Sequence, residues 1–571
     1  MNFNFFNSER IIRLTPITKD TVQVADSIIR NNIKVFPTLP NISVTSLNDL
    51  WWTRFTSAQS TYSLYIYAFY PISYLLNAYE ITQNEIYLNN ALKLVDGFYR
   101  WEAQGFKKIN KKMRKILHGD HAFSNRTQSL CYLLVCMRHA GKNISDKLIE
   151  NLIKNGDYLS DIKNYSHYNH GLMMDLSLLG LINTLDGEHI NYPASYKLNL
   201  IARLNHSISR DITSDGVHVE NSPGYHFWLL SFLEKVIDPL AYIDTDLYKL
   251  ASCVLEKASA YAMLIARPDG SVPAIGDTHA GVKYKISQGL SSKYLKDANK
   301  VIFRDPDDTV WAYFCSGYKT HVHKHGDNGA FNLFYKGQDV FIDPGFLNYE
   351  KTDSSIEIKK TSFHNTVCPK GENQEIIEIN LSQENQNYQG NIGRSKIIGY
   401  RNLNEVEIAL AKISDYQSCT IDRLIIWVKP NIFLIYDTLD GVHQSMEQFF
   451  HVGSCFKASI DGIHANLIDI NGVRVCRIEQ FQFNEPDNIP EQRATGSIQP
   501  GFYAKNFNIK HPSQRIVFET KSDYFLTLVQ LGEKDELDIT IESRSSSKIY
   551  LQKSEKIIEL DLNYYISLIN S

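Results

Sequence analysis

Between His321 and Tyr349 the chain reads HVHKHGDNGAFNLFYKGQDVFIDPGFLNY. Three histidines, His321, His323 and His325, fall at alternate positions, and Asp327 keeps the spacing. Alternate side chains of an extended chain share one face. One short strand here is therefore expected to aim several imidazoles and a carboxylate at one site. Asp343 stands before Pro344 and Gly345, where a strand should stop, and His364 follows in the polar segment HNTV. Imidazole plus carboxylate is a natural zinc set, and neutral imidazole also suits acid–base work near neutral pH. Solvent-facing strand histidines are the plain alternative.

Three further segments carry chemistry-bearing side chains. Tyr168-Asn169-His170-Gly171 precedes a strongly apolar helix-like run, where Asn169 and His170 could simply cap the helix. Asp215 to His226 (DGVHVENSPGYH) is a polar loop that brings Tyr225 and His226 to the entry of FWLLSFLEKV, where a tyrosine is commonly a packing residue. Pro268 to Thr278 (PDGSVPAIGDT) has the Gly and Pro content of a shaped loop, and Asp277 at its end is expected to cap the next element.

These segments sit on two textures. Up to about residue 300, runs such as IYLNNALKLVDGFYRW and RTQSLCYLLVCMRHAG show helical apolar recurrence. GLMMDLSLLGLINTL is apolar on nearly every side, as in a helix buried all round. Alternation of such helices with amphipathic ones suits the two rings of an α/α toroid, with a plain helical bundle as the alternative. From the Asp305–Thr309 region onward, short β-branched and aromatic runs dominate. Hairpins are expected at Lys336-Gly337 and at Lys429-Pro430-Asn431. Many short strands without intervening helices imply an antiparallel sandwich. With 571 residues the chain is too long for one ordinary core, so two domains, 1–300 and 301–571, are expected, with a cleft between them.

The motifs, taken in order, resemble the heparinase II/III-like polysaccharide lyases and the related alginate and oligo-alginate lyases. Asn169-His170 and Tyr225-His226 in the helical half, then HKHGD, DPG and HNTV in the strand-rich half, carry the resemblance across nearly the whole chain. It implies an incomplete α/α toroid followed by an antiparallel β-sandwich. It also implies that Tyr225 is the catalytic tyrosine, that His170 is a base, and that Asn169 engages a uronate carboxylate. His323 is the histidine of the strand-rich half that faces substrate. His325, Asp343 and His364 match zinc ligands, with a structural role for the metal. The segment HGDHAFSNR, His118 to Arg126, resembles a cleft-lining stretch, making His121 and Arg126 sugar contacts; Tyr349 is a third candidate contact. His321 leaves the HxH register ambiguous by two residues. Met173 stands where some members hold an acidic residue.

The chemistry implied is β-elimination. A weakly acidic proton leaves C5 of a uronic acid, and donors such as Asn169 and His323 stabilise the charge that grows on its carboxylate. His170 or Tyr225 takes the proton, and Tyr225 protonates the leaving oxygen. The product carries a C4–C5 double bond. Two other functions compete: a glycoside hydrolase, which needs two opposed carboxylates from Asp215, Glu220 or Asp277, and a non-catalytic glycan-binding or assembly protein.

Composition excludes some classes. A net charge of −4 offers no basic signature for nucleic acid. No apolar run reaches the ~20 residues of a membrane span. The partner expected is an acidic polysaccharide or oligosaccharide, and oligomeric state is not legible. The eight scattered cysteines, without a CxxC pair, favour reduced thiols. MNFNFFNSERIIRLTP has no basic start followed by a long apolar run, so a cytoplasmic location is expected, or a periplasmic one if a leader was removed.

Overall fold

The computed structural model describes residues 12–35, 40–52, 60–107, 109–279, 281–285, 288–376, 392–442, 445–483, 494–533, 537–541, 547–553 and 556–570. Most of the N-terminal segment read above lies outside these residues. The order along the chain is an incomplete α/α toroid followed by an antiparallel β-sandwich whose sheets do not close. The helices run as far as Thr245–Ile265, and the sandwich strands begin at Lys293–Leu295.

Two compact units divide the chain, and they do not follow chain order. One holds 1–210, 231–253 and 380–384; the other holds 211–230, 254–379 and 385–571. The segments 211–230 and 254–265 thus pack with the strands although they belong to the helical part of the sequence.

In the first unit, polar residues start the amphipathic helices. The Asn84 side chain accepts from Ile86 N ahead of Glu85–Ala103, and Ser145 accepts from Leu148 N ahead of Asp146–Ser160. Tyr168–Gly187 has every residue from Gly171 to Ile182 buried, as its all-round apolar pattern requires. It packs against Asp120–His139, where buried polar groups pair across helices: Gln128 donates to Ser177 Oγ at 2.8 Å. Such pairing is what keeps a buried amide from destabilising the core.

In the second unit, two antiparallel sheets face each other. The first runs, in spatial order, Lys457–Asp461, His464–Ile468, Arg474–Phe481, Tyr524–Leu531, Ile432–Gly441, Cys419–Val428, Val406–Ile413 and Lys396–Asn402. The second runs Thr495–Asn506, Ile509–Thr520, Met446–Val452, Gln338–Phe341, Ala330–Tyr335, Val310–Cys315, Lys300–Arg304 and Lys293–Leu295, with Val367–Pro369 paired to Met446–Val452. Both expected hairpins form: Tyr335 pairs with Gln338 across Lys336-Gly337, and Val428 pairs with Ile432 across Lys429–Asn431. The main core lies between the sheets, where Phe303, Phe331, Trp427 and Phe433 are all but fully buried. A smaller core, with Ile549, Leu551, Leu560 and Ile569, covers the other face of the first sheet. All eight cysteines are free thiols. Among the described residues no helix is long and apolar enough to cross a membrane.

Candidate functional site

Within the second unit the histidine-rich segment is a loop, 316–329, joining Val310–Cys315 to Ala330–Tyr335. The expected strand is therefore absent. Local polar contacts bend the chain: Lys324 N donates to His321 O, and Lys324 Nζ contacts Asp327 and its neighbour's carbonyl, His325 O. His323 has φ +56°, a left-handed conformation that a non-glycine residue adopts at some strain.

The loop nevertheless brings two of its histidines together, through a carboxylate outside it. His323 Nδ1 donates to Asp277 Oδ2 at 2.6 Å, and His325 Nε2 donates to Asp277 Oδ1 at 2.9 Å. Asp277 was expected to cap the next element; instead its buried side chain is the hub of this cluster. The other ring nitrogen of His323 lies 3.4 Å from the buried carboxylate of Glu220. His321 is buried with its ring edge-on to Tyr318, and it is His323 and His325 that share Asp277.

Three residues tie down the Glu220–Tyr225 segment, Asn221 to this loop and Ser222 and Gly224 to Thr278, the neighbour of Asp277. Asn221 Nδ2 donates to Thr320 O and Val322 O, at 2.6 and 2.9 Å. Ser222 Oγ and Gly224 N both bond Thr278 Oγ1. Gly276, at φ +55°, allows the close approach, since a Cβ there would sit 2.6 Å from Asn221 O. Tyr225 consequently lies in the first turn of the Pro223–Leu240 helix with its ring stacked on His323, centroids 3.8 Å apart and planes 18° apart. Its hydroxyl is 2.5 Å from that of Tyr349, which is 63% exposed and so open to a ligand.

The electrostatics follow from the burial and the pairing. Burial alone would raise the Asp277 carboxyl, but hydrogen bonds from His323 and His325 outweigh it and hold the group well below the usual carboxylate range. Burial likewise opposes the His323 imidazolium, yet the hydrogen bond to Asp277 and the nearby carboxylate of Glu220 raise it to about 9.

His325, Asp343 and His364 come together on the far side of Asp277. One ligating atom from each lies within 4.8 Å of the others, and all three residues are buried. His364 Nδ1 donates to Asp343 Oδ2 at 2.9 Å. His325 Nδ1 and His364 Nε2, both buried, have no hydrogen-bond partner among the described residues. Two buried imidazole lone pairs beside a carboxylate fit a divalent ion such as zinc. A carboxylate on the remote nitrogen of His325 is what orients such a ligand.

The first unit holds a second cluster. Asn169 and His170 occupy the first turn of Tyr168–Gly187, and Asn169 Oδ1 accepts from His170 N at 2.9 Å. His170 Nδ1 donates to Asp120 Oδ2 at 3.0 Å. The same oxygen accepts from Ser166 Oγ, while Oδ1 accepts from His121 N at 2.6 Å. A Cβ at Gly171 would meet Ser166 O at 2.3 Å, so only glycine lets this helix start so close to Ser166. The His121 ring stands edge-on to His170 at 6.2 Å, and burial, then the nearby His170, lowers it to about 4.

Arg126 is a correction. Its guanidinium is buried, donates to Tyr67 O and Leu117 O, and lies over the rings of Phe69, Phe98 and Phe123. At 6% exposure, with Nη1 held by two backbone carbonyls and three rings against the guanidinium, it packs as a core residue rather than as a sugar contact. The residues missed in the sequence are Asp120, Asn221 and the roles of Asp277 and Glu220. Asp120 lay inside the quoted HGDHAFSNR segment, and Asp277 closed a loop whose shape was evident.

Comparison with known proteins follows the same lines. The model of the heparinase II/III N-terminus matches residues 74–300, and that of the heparinase II/III-like C-terminal domain matches residues 287–550. A heparin-sulfate lyase of Pedobacter heparinus is 23% identical over 278 residues, 42% of this chain and 40% of that protein. One from Bacteroides stercoris is 20% identical over 290 residues, 43% of this chain and 40% of that protein. The chain thus matches only about two fifths of the length of these curated relatives. Among solved structures, a heparan sulfate lyase from Pedobacter heparinus has a TM-score of 0.67 at 16% identity, covering 96% of this chain and 90% of that one. A heparinase III has a TM-score of 0.72 at 14% identity, covering 96% and 93%. At such identities these structures speak for the fold, and with the two family models, which span most of the sequence in order, they place this chain in the heparinase II/III-like family.

Proposed function

We propose that this protein is a polysaccharide lyase that cleaves a uronic-acid-containing acidic glycan by β-elimination and leaves a C4–C5 unsaturated product. The observation that carries the reading is Tyr225 stacked on His323, with its hydroxyl beside that of Tyr349, a residue 63% exposed. A phenol held by a ring stack can move a proton without moving its own backbone. His323, fixed through Nδ1 by Asp277, has at Nε2 a second N–H that makes no hydrogen bond to Glu220, 3.4 Å away, and in this reading donates to a substrate carboxylate. Asn169 supplies a second donor in this reading, and Tyr225 returns a proton to the leaving O4. His170 is the base where the C5 proton and the leaving group lie on opposite faces; Tyr225 serves both steps where they share one.

The curated relatives, both called heparin-sulfate lyases, support the same class of reaction. A hydrolase is less well supported. Glu220 and Asp277 are both turned to His323, and Asp215 accepts from the backbone of Asp297 and Ala298. None of the three is placed as a member of an opposed acid–base pair. In this proposal His325, Asp343 and His364 hold a zinc ion that braces the loops beneath His323. The ion carries no step of the reaction.

The test is a panel of acidic glycans, sulfated and unsulfated, incubated with the full chain. A rise in ultraviolet absorbance from the new double bond supports the proposal. Cleavage to saturated ends would instead identify a hydrolase.

A further inference from the structure

The His170 cluster holds an acidic residue to which neither the motifs nor the relatives assign a role. Asp120 opens the Asp120–His139 helix, and its carboxylate is largely covered, with 18% of the side chain exposed. Oδ1 is occupied by the backbone N–H of His121, which fixes the carboxylate plane at the helix start. Oδ2 receives both Ser166 Oγ and His170 Nδ1. An ionised carboxylate only accepts, so the imidazole must present N–H at δ1. In the neutral ring the lone pair is then at ε2.

We propose that Asp120 is a positioning residue for His170, fixing the ring's orientation and its δ1–H tautomer so that Nε2 is the basic nitrogen. The proposal rests on the lyase reading for its consequence, proton abstraction from C5. It rests on geometry alone for the tautomer. The proton taken from carbon would form an Nε2–H bond, and the resulting imidazolium would be stabilised by the Asp120 carboxylate across Nδ1. The C5–H electron pair would stay with the substrate as the enolate-like carbanion, which expels the O4 leaving group.

Asp120→Asn is nearly isosteric. With its Oδ1 still accepting from His121 N, its amide N–H₂ would face His170. Nδ1 would then have to accept, and the proton would move to ε2. Nitrogen-15 spectra of the full chain labelled at histidine, with the His170 signals assigned by their loss in His170→Asn, read the tautomer directly. The wild-type neutral ring should be protonated at δ1 and the Asp120→Asn ring at ε2. Asp120→Glu, which keeps a carboxylate, should restore the δ1–H form at least in part. On a substrate that gives unsaturated product, Asp120→Asn should lower turnover by about 10²–10⁴, as for a lost general base.

A wild-type His170 protonated at ε2, or a tautomer unchanged by Asp120→Asn, overturns the proposal. So does full turnover in Asp120→Asn where His170→Ala is inactive. If no acidic glycan yields unsaturated product, the lyase reading fails, while the spectra still decide the tautomer.

Discussion

The two clusters repeat one motif in different surroundings. In each, an aspartate from a distant segment accepts from Nδ1 of a histidine: Asp277 to His323 at 2.6 Å and Asp120 to His170 at 3.0 Å. The His323 side chain is 10% exposed, with a second carboxylate, Glu220, at its other nitrogen; the His170 side chain is 34% exposed. Asp277 divides its two oxygens between His323 and His325 and so joins the stacked tyrosine to the metal-type set. Asp120 instead ties its histidine to a helix start and a serine. The same dyad therefore serves two ends. Between buried carboxylates it makes a fixed donor, and on a half-exposed helix start it orients a ring that stays accessible.

That contrast can be broken most sharply at Asp277. Asp277→Ala would leave two buried imidazoles without their shared acceptor, and should cost about 3–5 kcal/mol of stability together with the activity. Asp120→Ala should cost activity and much less stability. Equal losses of stability in denaturant melts of the two variants would mean the clusters do not differ as described.

Tyr225→Phe comes next, because it removes only a hydroxyl and keeps the stack on His323. Turnover should fall by about 10²–10⁴ with an unchanged melting midpoint. A comparable fall in His170→Ala assigns the base to His170, and a mild one leaves both proton transfers to the tyrosine. Unaltered turnover in Tyr225→Phe would remove the tyrosine from the mechanism. Asn169→Ala should cost roughly 3–4 kcal/mol of transition-state stabilisation, by analogy with oxyanion donors, read as kcat/KM on the same substrate.

The metal-type set offers a third contrast, since it adjoins only the His323 cluster within its unit. Protein purified without chelator should carry about one zinc per chain by elemental analysis. Chelation should lower the melting midpoint by roughly 5–10 °C, and His364→Ala should abolish both the zinc and this shift. Metal-free protein that melts identically would leave the three residues as a plain buried hydrogen-bonded group.

The smallest expected effect is on acid stability, from the histidine beside Tyr225. His226 is buried; its Nε2 donates to Ala258 O at 2.9 Å and its Nδ1 accepts from His218 N. Burial lowers it from 6.5 to about 3, outweighing the Ala258 bond. A folded value below the unfolded one gives stability that is complete above about pH 6.5 and is lost as pH falls toward about 3. By about pH 5 the loss should be on the order of 2 kcal/mol. His226→Gln should show a correspondingly shallower decline in denaturant melts across that range.

Local sequence pattern was enough for much of this molecule. The turns at Lys336-Gly337 and Lys429–Asn431 form where Gly, Pro and Asn interrupt β-branched runs. Tyr168–Gly187 is buried all round because it is apolar all round. The types of residue in the metal-type set, and the place of Tyr225 at a helix entry, were legible because each depends on a few neighbours in the chain. The alternation of His321, His323 and His325 misled, since a period of two describes a strand only where the backbone is extended, and the contacts of Lys324 with His321, His325 and Asp327 bend it. Tertiary structure alone decided the partners. Asp277 meets His323 across 46 residues of chain and Asp120 meets His170 across 50, distances no local period encodes. The same holds for Arg126, which the resemblance of its segment suggested as a sugar contact and which Phe69 and Phe98, from other segments, join to Phe123 of its own helix in a core. A side chain's chemistry is written in its type, but whether that chemistry faces solvent, a carboxylate or a ring is set by which distant segments pack against it.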